Sequence, residues 1–269
     1  MISSSDRKHH TDEKFDSDVS NAEFRNRLFI RLVAKGKKFE KVDFKYSIFD
    51  TCYLRDCVFD SCDFTGCRFI GTNLYGSSFS GCKFDYAMFE RTIVDNDILE
   101  VGCPAFENLK LKFARSLRMN YQSLGDSLSA NKTIVLELQA TEIHLLKAWK
   151  SKESYYRKKY KGWKRIRSFV EWFNFKSLDL IWGNGESTLK LIRSFFIILL
   201  AMSLYDVLMF GDSSRVVSYF NSFISMPNVL FGTLKPQHYS DSYMTFIIFT
   251  RLVFFGFLMS IIIKRFNRR

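Results

Sequence analysis

Six cysteines and four histidines are the side chains that could ligate a metal or act as nucleophile and base. Thiolate and imidazole do both kinds of work, so their spacing comes first. Cys52, Cys57, Cys62, Cys67 and Cys82 stand apart by multiples of five, with no CxxC pair and no histidine nearby. A zinc site needs clustered pairs, whereas a strict period points to a repeated structural position for reduced, buried thiols. Cys103 falls outside the frame. His9 and His10 adjoin in a polar stretch, where an exposed pair is expected to do nothing specific. There is no HExxH, no Walker-type glycine loop and no serine elbow. The chain is therefore not expected to be an enzyme, and neither a cofactor nor a metal is expected. Two other residues carry a functional flag: Asp206 and Arg251 are ionisable side chains inside otherwise apolar stretches.

The elements around these residues follow from periodicity. Every fifth position from Phe39 is apolar: Phe39, Phe44, Phe49, Leu54, Phe59, Phe64, Phe69, Leu74, Phe79, Phe84, Phe89, Val94 and Leu99. Two residues before most of these lies a small side chain, and the five in-frame cysteines occupy that series. Neither helical spacing nor strand alternation repeats at five. A coil with four short faces does, each face turning one large and one small side chain inward. This pattern resembles the pentapeptide-repeat family, and the resemblance implies a right-handed quadrilateral β-helix. Thirteen units at four per turn imply about three coils, roughly 15 Å tall at β-type stacking. Residues 37–101 carry eight basic and eleven acidic side chains, a mixed charge that makes a poor mimic of a DNA duplex. The module is expected to be a scaffold or a protein-binding surface.

The remaining boundaries come from composition. Residues 1–22 are polar, lack an apolar signal segment and are expected to be a disordered tail. The β-helix with its N-terminal cap is assigned to 23–104. A helical linker and a basic amphipathic segment are assigned to 105–188, with helices expected over about 110–124 and 127–151. Between Lys147 and Arg167 stand ten basic residues against one acid, interleaved with aromatics. That mixture suits nucleic acid, yet an apolar stretch follows directly, so an anionic bilayer surface is the expected partner and nucleic acid is not.

Residues 189–263 contain two apolar runs, 189–210 and 244–263, long enough to span about 33 and 30 Å as helices. The basic segment precedes the first run, and Lys264, Arg265, Arg268 and Arg269 form a basic tail over 264–269. The loop between the runs is neutral. Positive charge stays inside, so both termini are expected to be cytoplasmic in a multi-pass protein of a bacterial inner membrane. The loop reads as a short re-entrant helix stopped at Pro227, with irregular backbone from Asn228 to Pro236. Span, half-helix, irregular return and span resemble a two-transmembrane pore-loop region of the potassium-channel type, fused to pentapeptide repeats. The resemblance implies a homo-oligomer, a tetramer by family, with Asn228, Gly232 and Thr233 in the candidate pore loop. Only Gly232-Thr233 matches the TVGYG filter motif, so potassium selectivity is not implied. Asp206 and Arg251 either pair across the helices, or Arg251 faces the pore and favours anions.

The reading as a whole is an ion-channel-like inner-membrane protein with a cytoplasmic pentapeptide-repeat sensor or assembly module. The alternative is a non-conducting, membrane-anchored scaffold whose β-helix binds a cytoplasmic protein partner. A toxic or defensive depolarising effector is a third reading.

Overall fold

The computed structural model describes residues 7–266 and divides into two compact units, the first ending at Ser168 and the second beginning at Phe169. The first unit opens with nine short strands: β1 (Lys8–Thr11), β2 (Val19–Ser20), β3 (Arg27–Ile30), β4 (Lys38–Glu40), β5 (Ile48–Asp50), β6 (Val58–Asp60), β7 (Arg68–Ile70), β8 (Ser78–Ser80) and β9 (Met88–Glu90). Odd strands pair in one parallel sheet and even strands in another. Two columns of isolated bridges, Val33–Tyr53–Asn73–Ile93 and Glu23–Asp43–Asp63–Lys83, supply the other two faces. The result is a β-solenoid of about four turns.

Register explains the period of five. Phe29, Phe49, Phe69 and Phe89 lie directly over one another, as do Phe39, Phe59 and Phe79. The rings of Phe44 and Phe64 are 5.2 Å apart and 4° from parallel, and those of Phe49 and Phe69 5.0 Å and 7°. Three of the four faces therefore add one ring per coil to an inner stack, and the fourth adds Ala34, Leu54, Leu74 and Val94. The chain turns to the next face through a left-handed residue, found at every fifth position from Asn21 to Arg91. Side chains other than glycine are strained there by about 1 kcal/mol each. The strain persists because neighbouring coils fix each corner with main-chain bonds, such as Tyr46 N to Thr65 O at 2.9 Å.

The solenoid starts earlier than composition suggests. The expected tail over 1–22 is replaced from Lys8 onward by β1 and β2, which pair with β3 and β4; residues 1–6 lie outside the described residues. The apolar frame continues backwards from Phe39 through Ala34, Phe29, Phe24 and Val19, and then shortens by one residue to Phe15. Lys14 accordingly bridges Val33, nineteen residues on, while Val19 pairs with Phe39, twenty on. A coil that buries one residue in five can be polar on average, so polarity does not exclude it.

Four helices follow in the first unit, α1 (Ile98–Val101), α2 (Glu107–Ser123), α3 (Ser127–Lys150) and α4 (Ser154–Lys159), and a fifth, α5 (Trp163–Trp182), crosses its boundary. α2 closes the last coil. Phe113 packs on Phe84 and Phe89, and Ser116 Oγ accepts from the Phe89 amide at 2.9 Å. Without this cover the final coil would expose stacked rings and unpaired backbone.

The second unit continues through a tight turn at Gly183–Gly185 into α6 (Thr188–Phe210), α7 (Val216–Phe231) and α8 (Asp241–Phe266). α7 corrects the expected break at Pro227. The helix runs through the proline to Phe231, and Asn228 is helical. Proline removes one donor from the ladder, and the burial of Met226, Val229 and Leu230 against Leu199, Met202 and Ile247 offsets that loss. Gly232, at φ 82°, ends the helix in the left-handed conformation that glycine adopts freely. Between α7 and α8 the irregular backbone is confined to 232–240.

Candidate functional site: a carboxylate and a guanidinium among apolar helices

The cysteines are structural. Each in-frame thiol donates to a carbonyl of the coil before it, as in Cys67 Sγ to Phe44 O at 2.9 Å and Cys62 Sγ to Phe39 O at 3.3 Å. Thr72 and Thr92 hydroxyls make the same bond to Phe49 O and Phe69 O at 3.0 Å. Burial pushes the Cys52 thiol up to about 11 and holds Cys67 higher still, so neither is a ready nucleophile. Among the described residues no group of three His, Cys, Asp or Glu converges at metal-binding spacing.

Polar chemistry in the second unit gathers at two points. The first is Asp206, which α6 presents near its C-terminal end. Its Oδ2 accepts from Ser222 Oγ of α7 at 2.8 Å, and its Oδ1 accepts from Tyr239 Oη at 2.7 Å, with His238 Nε2 at 3.4 Å. The rings of Phe210, Tyr239 and His238 pack on one another at tilted and edge-on angles beside this carboxylate, and Tyr239 meets Tyr243 edge-on. Ser203 Oγ donates to Tyr219 O at 3.2 Å, extending the seam between α6 and α7. Small hydroxyl residues let the two helices approach closely and supply the bonds that an apolar setting otherwise lacks.

The second point is Arg251 on α8. Its Nη1 donates to Phe231 O at 3.0 Å, at the C-terminal end of α7. Helix C-termini carry partial negative charge on unpaired carbonyls, and a guanidinium there neutralises it. A Cβ on Gly232 would lie 2.5 Å from Nη1, so the missing side chain makes room for the guanidinium.

The expected pore-loop residues do converge, but differently from the sequence reading. Asn228 O accepts from Thr233 N at 2.9 Å, Leu234 N at 3.1 Å and Thr233 Oγ1 at 3.0 Å, with Gly232 between them. They form a helix cap in place of a row of outward carbonyls. The pairing of Asp206 with Arg251 is not realised: each has its own partners. Sequence reasoning missed Ser222, Tyr239 and His238. The signal available was the polar-aromatic cluster at 238–243, which follows a proline and precedes an apolar run.

Family models described as pentapeptide repeats match residues 38–74 and 59–98. Residues 38–98 are pentapeptide repeats. Part of the chain is similar to solved structures at low identity. Rfr23, from the cyanobacterium Cyanothece 51142, is 13% identical with a TM-score of 0.29, over 33% of this chain and 78% of that one. QnrB1, a plasmid-mediated fluoroquinolone resistance protein, is 22% identical with a TM-score of 0.18, over 33% of this chain and 54% of that one. A pentapeptide repeat protein from the Arabidopsis thaliana thylakoid lumen is 15% identical with a TM-score of 0.18, over 37% and 76%. No curated protein matches the chain. The pentapeptide-repeat models end at residue 98, so the helices after them are argued from their own residues.

Proposed function

We propose that the chain is a multi-pass protein of a bacterial inner membrane whose helical unit assembles as a channel-like homo-oligomer. One observation carries the reading: the second unit turns apolar side chains outward and polar ones inward. α6 and α8 have mean hydropathies of 2.0 and 2.4 over windows that are only 33% and 17% buried. Leu189, Leu208, Val216, Phe249 and Phe255 are exposed, while Asp206 and Ser222 face other protein groups. A soluble core helix has the opposite distribution. Hydrocarbon and further copies of the chain are the surroundings that fit.

Two spans enclose nothing alone, so a pore requires several copies, and four is the number the pore-loop resemblance implies. α7 would then point its C-terminal end at the shared axis. With Arg251 on that end, a ring of guanidinium groups would disfavour cations and favour anions. The basic residues before α6 and after α8 support cytoplasmic termini, with the pentapeptide module as sensor or assembly platform and anionic lipid against the basic segment. No enzymatic activity, cofactor or nucleic-acid partner is part of this reading. Purified protein in planar bilayers tests it. Discrete conductance steps are expected, with a reversal potential that shifts toward that of cations in Arg251→Gln. A verified oligomer without conductance would overturn the channel.

The second reading, a non-conducting anchored scaffold that recruits a cytoplasmic protein through its solenoid, draws on a specific feature. α7 ends in a closed cap, with the Phe231 and Asn228 carbonyls occupied by Arg251, Thr233 and Leu234.

A further inference from the structure

Arg251 lies ten residues into α8, about 15 Å from its start at 1.5 Å per residue. A cation at that depth of an apolar helix costs several kcal/mol unless an anion or polar group meets it. Its one protein partner among the described residues is the Phe231 carbonyl, and no carboxylate lies within ion-pair distance. A carbonyl offers partial charge and one acceptor to a fork with five donors.

Arg251 lines a crevice of about 430 Å³ between α6, α7 and α8. Leu191, Phe195, Leu230, Phe254, Phe255 and Leu258 are among its apolar lining, and among the described residues Arg251 is the only charged side chain there. This volume falls in the range of small-molecule sites, and apolar walls with one placed polar group are their usual composition. A second copy of the chain would not supply the anion. From Leu189 to Phe266 the acids are Asp206, Asp212 and Asp241. Asp206 is held by Ser222 and Tyr239, Asp212 follows the end of α6, and Asp241 begins α8.

We propose that this crevice binds a single acyl chain bearing an anionic oxygen head, with the head on the free donors of Arg251 and the chain along the leucines and phenylalanines. A free fatty carboxylate and a single-chain lipid phosphate share that chemistry. Gly232 adjoins the site, since a Cβ there would meet Arg251 Nη1 at 2.5 Å.

The inference rests on the membrane reading of the second unit and fails separately from it. Full-length protein that stays monodisperse without detergent would sink the membrane reading. In non-ionic detergent, native mass spectrometry with oleate, oleoyl lysophosphatidate and oleyl alcohol tests the crevice. At least one anionic probe is expected to bind tenfold or more tightly than the alcohol, and the better of the two names the source. Arg251→Gln is expected to abolish that preference while leaving weak, head-blind binding. Leu258→Trp, which narrows the crevice and keeps Arg251, is expected to weaken all three probes at least fivefold. Equal binding of anions and alcohol by the wild type, or a preference that survives Arg251→Gln, overturns the proposal. Should the glutamine variant fail to fold, unchanged oleate binding by Leu258→Trp overturns it instead.

Discussion

Asn120 on α2 pairs with both main-chain polar groups of Thr92: its Oδ1 accepts from the Thr92 amide at 2.7 Å and its Nδ2 donates to the Thr92 carbonyl at 2.8 Å. A side-chain amide thus does what the next strand would do if the solenoid continued. Both partners are buried, so removing the amide strands a donor and an acceptor without water. Asn120→Ala is expected to destabilise the first unit by about 2–4 kcal/mol, at about 1–3 for each stranded group less relaxation. Thermal unfolding of the full chain, followed by circular dichroism, measures this; an unchanged midpoint would show that α2 holds the coil by packing alone.

The five in-frame thiols should be silent in the native state. Cys52, Cys57, Cys62, Cys67 and Cys82 are buried, and Cys103 is half-buried. Reaction needs the thiolate, and burial holds Cys52, Cys57, Cys67 and Cys103 above the ordinary thiol range. A thiol reagent at neutral pH should label Cys103 slowly and the other five only after unfolding. Rapid labelling of more than one thiol would contradict the coil packing. Cys67→Thr should be tolerated, because the Ser47 hydroxyl holds the same bond in the same column and Thr72 and Thr92 hold it on a neighbouring face, whereas Cys67→Leu should cost about 1–3 kcal/mol by overpacking.

His144 sits between two phenols, with Nδ1 3.1 Å from Tyr156 Oη and Nε2 3.2 Å from Tyr160 Oη. Burial first, and the Lys159 charge second, hold its pKa below the ordinary imidazole value. A neutral ring donates to one phenol and accepts from the other. Because the folded pKa is lower than the unfolded one, near 6.5, the stability it contributes is complete above that value. It is lost as pH falls through the folded pKa. The unfolding midpoint of the wild type should therefore drop as pH falls below about 6.5, more steeply than that of His144→Phe. Parallel curves would remove His144 from the account.

What could be read in advance divides along physical lines. The stack from Phe39 to Phe89 was legible because a strict period of five has few structural solutions, and large rings mark each unit. The first coils were not, since Ala34 supplies no ring and the frame shortens by one at Phe15. Pro227 misled because a local rule about helix breaking met tertiary burial of Met226, Val229 and Leu230, which outweighs one missing bond. Asp206 stood out as an acid in an apolar run. Its partners did not, because Ser222 and Tyr239 are 16 and 33 residues away and no local pattern ties them to it.

The hub around Asp206 distinguishes geometry from charge. Asp206→Asn keeps an acceptor for Tyr239 and places an amide donor near Ser222, so its loss should stay near 1 kcal/mol. Asp206→Leu strands both hydroxyls beside an apolar side chain and should cost about 2–4 kcal/mol. Thermal unfolding in detergent compares them. Equal losses would mean that the carboxylate, and not its bonds, holds α6 against α7.

Gly232 has two reasons to be glycine, and a double-mutant cycle separates them. Its φ of 82° costs an alanine about 1–2 kcal/mol whatever surrounds it. Independently, a Cβ would stand 2.5 Å from Arg251 Nη1, so alanine would also dislodge the guanidinium from Phe231 O. If only the backbone matters, Gly232→Ala should lose the same stability in wild type and in Arg251→Ala. If the close approach matters, the loss should be smaller in the Arg251→Ala background, with a coupling of about 0.5–3 kcal/mol. We expect coupling, because relieving the contact moves Nη1 off the Phe231 carbonyl that it bonds. A coupling of zero would reduce Gly232 to a helix terminator and leave Arg251 seated by Phe231 alone.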